Sequence, residues 1–297
     1  MNGAQGSAAA TRAILLGLSL LLLATGTALA GVRLQCPDTV GRGLPFYVRL
    51  VSDEPLEGVS FLWGAMRAEP VMREVGGVHE ALVLFGTGVD AKPGAGRVTA
   101  SFEGPGGAME LSHPLRIKAR TFPEQRLTVA KSMVHLSDDE LLRHIGEKQT
   151  VRHLLDNPSL QRVWDGRFVR PVPGAVSSAY GLRRFFNGEP RAPHRGIDLR
   201  ARLGEPVLAI APGRVVLAAE HYFAGNSVYV DHGQGLVSMY FHLSQLSVQP
   251  GDAVAAGDEI GKAGMTGRVT GPHLHFGLSV YGELVDPMPL VTGVLRP

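Results

Sequence analysis

The sequence predicts a mainly β protein in three parts: an N-terminal Ig-like β-sandwich, a short helical connector and a C-terminal folded β-sheet domain. Three observations carry this. Residues 31–122 divide into short apolar or alternating runs separated by glycine- and proline-rich turns. Residues 136–156 switch to a helical pattern, and from about 166 the chain is glycine-rich and β-like again. A length of 297 residues suits about two domains. The expected boundaries are 1–30 for an export leader, 31–122 for the sandwich, 123–165 for the connector and 166–297 for the second β domain.

At the N-terminus, Arg12 is followed by the apolar run "AILLGLSLLLLATGTALA" (13–30), which ends in the small-x-small triplet Ala28-Leu29-Ala30. This predicts a signal peptide cleaved after Ala30 and a periplasmic or secreted mature protein. The run is near the length that spans a bilayer, but Gly17, Ser19, Thr25, Gly26 and Thr27 dilute it. Membrane attachment is expected only if the leader is retained. Cys36 is the single cysteine, so the chain forms no internal disulfide. Bulky Gln35 before it disfavours a lipid anchor, and Cys36 reads as a buried strand residue. A net charge of +2 and 6% aromatic residues argue against nucleic acid as a partner.

Within the first domain, "LPFYVRLV" (44–51), "VSFLWGAM" (59–66), "EALVLFGT" (80–87), "RVTASFE" (97–103) and "PLRIKAR" (114–120) read as strands. His79 and His113 stand alone there and are expected at the surface. In "LSDDELLRHIGEKQTVRHLLD" (136–156), Ser137 and Glu140 form a capping box, and Asp138 and Asp139 suit the positive helix end. Asn157-Pro158 stops the helix, and His144 and His153 are expected to be solvated. The last domain echoes itself. "LGEPVLAIAPGRV" (203–215) resembles "PGDAVAAGDEIGKAG" (250–264), as in a folded sheet built from two related hairpin units.

Two stretches carry metal-competent side chains. "RAPHRGIDLR" (191–200) holds His194 and Asp198, and "TGPHLHFGL" (270–278) holds His273 and His275. Histidines at i and i+2 on a strand share a face, roughly 6–7 Å apart. His194 and Asp198 would be roughly 13 Å apart in a fully extended strand, so the reading needs Gly196 to bend or bulge the chain. Zinc binds His and Asp at about 2.0–2.2 Å, and catalytic sites typically keep three protein ligands and an open position. A further histidine, His242, lies on the apolar strand "MYFHLS" (239–244).

Taken in order, "PHRGIDL", "YFHLS" and "GPHLHF" resemble the lysostaphin/LytM-like zinc endopeptidases that act on bacterial peptidoglycan. "SSAYGLRR" (177–184), "GEPVLAIAPGRVV" (204–216) and "VDHGQGL" (230–236) match the same pattern, over roughly 166–292. The resemblance implies a LytM-like sheet of the lipoyl/duplicated hybrid type, with zinc held by His194, Asp198 and His275. It implies that His242 and His273 are catalytic, and that the substrate is the peptide stems and cross-links of peptidoglycan, cut through a zinc-activated water. Tyr240 is expected to pack or line the site, His232 to be structural and His221 to be at the surface. The family often has an acidic residue after "HLHF". Gly277 stands there, so a partner that orients a ligand must be missing or come from elsewhere.

Two other classes compete with this reading. A non-catalytic LytM-like wall-binding protein or amidase activator would typically lack zinc ligands, whereas all five chemical positions are present. A lipoyl or biotin carrier would need a lysine at a hairpin tip, and it would leave the histidines unexplained. Every candidate site residue lies downstream of Arg162, so a fragment starting there is expected to keep the chemistry.

Overall fold

The computed structural model describes residues 27–29, 31–104, 107–128 and 136–297. The apolar leader read over 1–30 lies outside them except for Thr27–Leu29. No helix among the described residues is long and apolar enough to cross a membrane.

The first domain is two five-stranded sheets around one core. One sheet runs in the order β1 (Thr27–Leu29), β2 (Val32–Gln35), β4 (Pro45–Ser52), β8 (Val78–Gly86) and β7 (Arg73–Val75). The other runs β3 (Thr39–Gly41), β10 (Gly107–Lys118), β9 (Gly94–Gly104), β5 (Glu57–Trp63) and β6 (Met66–Ala68). Leu34, Val48 and Phe85 of the first sheet meet Phe61, Val98 and Leu115 of the second. Cys36 is buried beside them, and burial pushes its thiol up to about 12. His113 is also buried, against the surface expectation, because its Nε2 lies 3.0 Å from Asp38 Oδ1.

β4 and β8 are buried on both faces. Strand alternation sends Phe46, Val48, Ala81 and Val83 into the sandwich core, and Tyr47, Leu82 and Leu84 into a second core shared with the C-terminal domain. There Tyr47 meets Trp164, ring centroids 6.1 Å apart. Arg120–Asp286 and Arg195–Asp90 pairs, each at 2.8 Å, cross the same boundary.

The connector region holds β11 (Glu124–Leu127) and α1 (Asp138–Asp156). The Ser137/Glu140 capping box forms as the sequence indicates. β11 pairs in parallel with β13 (Arg183–Phe186), which also pairs with β14 (Glu189–Pro190). α1 grips a hairpin tip of the last domain. The Tyr222 amide donates to the Glu147 carboxylate at 3.0 Å, and the Tyr222 hydroxyl donates to Glu140 at 2.7 Å. His144 packs edge-on against Phe223 at 4.6 Å rather than standing free in solvent.

The last domain is a ten-stranded antiparallel sheet. Its main path is β12 (Val176–Ser178), β15 (Ile197–Leu199), β22 (Leu274–Val280), β19 (Leu236–Leu246), β18 (Gly225–Asp231), β17 (Gly213–His221) and β20 (Ala253–Val254). β16 (Pro206–Leu208) joins through β21 (Glu259–Ala263), and β23 (Glu283–Leu284) pairs with β22; a short α2 (Met288–Val291) follows. The sheet folds because β19 changes partner. Leu236–Phe241 pair with β22, whereas Leu243–Leu246 pair with β21.

Candidate active site

The register of two strands creates the centre of the site. In the β15–β22 ladder, Asp198 is directly opposite His275. Their side chains therefore share a face, with His275 Nδ1 2.8 Å from Asp198 Oδ1. His194 arrives from the preceding segment, pinned by backbone bonds between its amide and the Leu182 carbonyl and between the Gly181 amide and its own carbonyl. Its Nε2 lies 3.0 Å from both Asp198 Oδ1 and His275 Nδ1. These three residues are the group of metal-competent side chains found among the described residues.

Gly196 lies at a bend immediately before β15, and its lack of a side chain makes this approach possible. A β-carbon on Gly196 would come within 2.7 Å of His275 Nε2 and 2.7 Å of the Phe276 carbonyl. The His275 ring passes directly over the bare backbone. On its other side Phe241 stacks at 5.1 Å with an interplanar angle of 11°.

Outer contacts set the tautomers. A carbonyl can only accept, so His194 Nδ1 carries its proton toward the Ala179 carbonyl at 3.0 Å and leaves Nε2 as a lone pair facing Asp198 and His275. Arg184 Nη2 donates to Asp198 Oδ2 at 3.2 Å and to Ser178 Oγ at 3.0 Å. Arg184 was visible only as part of the "SSAYGLRR" motif, without a role. Gly277 faces Met239, whose methyl would lie 2.9 Å from an added β-carbon. The orienting contacts missing at 277 are supplied by Ser178, Ala179 and Arg184. Burial opposes the charge on Asp198, but the close approach of His194 and His275 outweighs it and holds the carboxyl far below the usual carboxylate range. Burial in turn disfavours protonation of His275, partly offset by Asp198.

His242 and His273 complete the cluster. Alternation along β19 would put His242 on the face of Tyr240, away from His275. The ladder shows why it is not there. Between the pairs Val228–Tyr240 and Asn226–Leu243, β18 contributes one residue and β19 contributes two, Phe241 and His242. This is a β-bulge, and His242 takes a left-handed φ of 65° within it. The bulge swings its ring to 4.9 Å from His273 and 6.1 Å from His275. Its Nδ1 donates to the Thr266 carbonyl at 2.9 Å, and His273 Nδ1 donates to the Gly271 carbonyl at 2.9 Å. Both Nε2 atoms are thereby left as acceptors. Burial, reinforced by the neighbouring His275, lowers His242 to about 4, so it is neutral at pH 7.

The other singled-out residues lie off the centre. Tyr240 is fully buried on the opposite face, its hydroxyl accepting the Ile210 amide at 3.0 Å and lying 2.9 Å from Ser238 Oγ. His232 continues that chain, with Nε2 2.7 Å from Ser238 Oγ and Nδ1 donating to the Pro212 carbonyl at 2.7 Å. His221, expected at the surface, is buried with its ring 6.0 Å from Tyr229.

Two imidazole nitrogens and one carboxylate oxygen this close together suit a single ion with bonds of about 2.0–2.2 Å, and the donor chemistry fits zinc. The fold and this geometry define a metallopeptidase-type sheet. Residues 192–287 match peptidase family M23. It is 41% identical over 131 residues to peptidoglycan DD-endopeptidase ShyA of Vibrio cholerae serotype O1, covering 44% of this chain and 30% of ShyA. Against ShyB of the same organism it is 40% identical over 131 residues, covering 44% of this chain and 31% of ShyB. The chain thus aligns with under a third of these relatives' length. A crystal structure assigned to peptidase M23 from Pseudomonas aeruginosa superposes with a TM-score of 0.61 at 26% identity, over 82% of this chain and 92% of that one.

Proposed function

We propose that this protein is an exported, zinc-dependent endopeptidase that hydrolyses peptide cross-links of bacterial peptidoglycan, released into the periplasm or medium by cleavage after Ala30. The observation that carries the reading is the convergence of two sets of side chains. Three metal-competent atoms lie within 3.0 Å of one another, beside a second pair of histidines with their Nε2 atoms unblocked. His194, Asp198 and His275 would hold the zinc. When bound, zinc supplies Lewis-acid polarisation of the scissile carbonyl and makes water acidic enough to react near neutral pH.

The protein's own groups manage the protons. His242 and His273 have their Nδ1 protons committed to backbone carbonyls, so each gains and loses a proton only at Nε2. One neutral imidazole accepts the proton that water loses as it attacks the carbonyl. As imidazolium it then donates to the leaving amine, while its neighbour stabilises the developing oxyanion when it carries a proton at Nε2. Arg184 keeps Asp198 aimed at its partners by donating to Oδ2. Relatives described as peptidoglycan DD-endopeptidases support the substrate class.

The test is digestion of purified sacculi by the zinc-loaded protein, with and without chelator, and mass spectrometry of the released muropeptides. Cross-linked dimers should convert to monomers in a chelator-sensitive way. A folded, zinc-loaded protein that leaves every dimer intact refutes the reading.

A further inference from the structure

Beside the metal-competent group, on the far side of Arg184, lies a cavity of about 340 Å³ at the boundary of the two domains. Its charge is one-sided. Arg42, Arg183, Arg184 and Arg191 line it, against the single carboxylate of Asp90. Asp90 is already paired with Arg195 at 2.8 Å, and Glu124 outside the cavity takes Arg183 at 3.0 Å. Arg42 has no carboxylate partner among the described residues. Its Nη2 donates to the Arg120 carbonyl at 2.7 Å, and its guanidinium sits 5.0 Å from the centre of the Phe122 ring. The Nε atoms of Arg42 and Arg184 are both buried without a hydrogen-bond acceptor.

Collecting guanidinium groups from three chain segments around one cavity, with two buried donors unsatisfied, is unfavourable unless an anion completes the arrangement. Arginine is the side chain whose planar fork matches a carboxylate at two points. The cavity is at the small end of the range for ligand pockets, about 300–1,000 Å³. That is room for an acidic residue rather than a whole oligosaccharide, and the Phe122 wall suits its aliphatic portion. Arg184 joins the cavity to the reacting centre, since the same guanidinium holds Asp198.

We propose that this cavity is a carboxylate subsite that seats a free carboxylate of the stem peptide close to the scissile bond. The enzyme is thereby directed to acidic stem peptides rather than neutral polyglycine bridges. The proposal rests on the peptidoglycan reading above for the identity of the peptide, but not for the anion chemistry.

The experiment compares synthetic cross-linked peptide dimers that carry diaminopimelate as free acid or as carboxamide. The wild-type protein should favour the acid by about 10–100-fold in kcat/KM, the range expected for a charge-assisted hydrogen bond. Arg42→Gln and Arg191→Gln should each reduce that preference severalfold while leaving turnover of the amide unchanged. Equal turnover of acid and amide by the wild type, or an undiminished preference in both variants, overturns the subsite. If neither dimer is cut, the hydrolase reading fails and calorimetric binding decides the subsite. Binding of the acid peptide over the amide, weakened in both variants, upholds it. No binding of the acid peptide overturns it, as does inorganic phosphate binding as tightly as the acid peptide.

Discussion

Adding one methyl group at Gly196 tests whether close backbone approach builds the metal site. In Gly196→Ala the new carbon would start 2.7 Å from His275 Nε2 and 2.7 Å from the Phe276 carbonyl, where ordinary contact begins near 3.4 Å. The β15 and β22 backbones must therefore separate by about 0.7 Å, or the His275 ring must swing away. The ring has little freedom, because Phe241 stacks on its other face. Overpacking of this kind typically costs about 1–3 kcal/mol. The displacement also falls on the ladder that sets the 2.8 Å His275–Asp198 approach. We expect a lower unfolding midpoint in urea, and zinc affinity reduced at least tenfold in competition with a chromogenic chelator. Gly146→Ala is the matched control. It lies inside α1 with open space around it, and should stabilise the protein by about 0.5–1 kcal/mol without touching zinc. A Gly196→Ala protein with wild-type stability and zinc affinity would refute the reasoning.

Four further outcomes are expected. His194→Ala, Asp198→Ala and His275→Ala should each lose most bound zinc by elemental analysis, and full retention in two of them would remove the ligand assignment. His242→Ala and His273→Ala should keep zinc and fold but lose about 10²–10⁴-fold in muropeptide release, and loss of metal in either would redraw the division of roles. His232 is driven down to about 4 by burial, partly offset by the Pro212 carbonyl. Its contribution is therefore complete above its ordinary value near 6.5 and is lost as the pH falls toward 4, by about 3 kcal/mol in total, which urea titrations of wild type and His232→Gln should show as a flatter pH dependence in the variant. A fragment starting at Arg162 should be poorly soluble and bind a hydrophobic dye. It lacks β11 and exposes the face that meets Tyr47, Leu82 and Leu84, each worth about 1.5–3 kcal/mol on burial; a cooperative fragment as stable as the full chain would refute this.

That last outcome departs from what the sequence suggested, and the reason is specific. "EALVLFGT" is an unbroken apolar run, which fits a strand buried on both faces but does not say against what. The structure assigns alternate residues of β8 to two different cores. The C-terminal domain was therefore legible as a unit, but its packing against the first was not. Lone histidines were misread for a similar reason. His113 is buried because of Asp38, 75 residues away in sequence, and no local pattern reports such a pairing. The capping box of α1 was legible because every group in it lies within four residues. The link between Arg184 and Asp198 joins two separate strands, and only its motif was visible.

The site itself divides along the same line. Asp198 and His275 face each other by strand register between β15 and β22, which the spacing within neither segment states. His242 reaches the cluster only through the extra residue in β19 and a left-handed backbone, which its apolar strand sequence gives no reason to expect. That bulge is held from outside the ladder. The His242 amide donates to the Ala224 carbonyl at 2.8 Å and its ring to Thr266, while the adjoining 222–223 turn is tied to α1 through Glu140 and Glu147. The metal-competent residues thus rest on paired sheet and on the 179–182 segment, and His242 on a bulge braced by loops and a helix. Because the two supports are separate, changes at His242 should disturb proton transfer while leaving the ligand geometry in place.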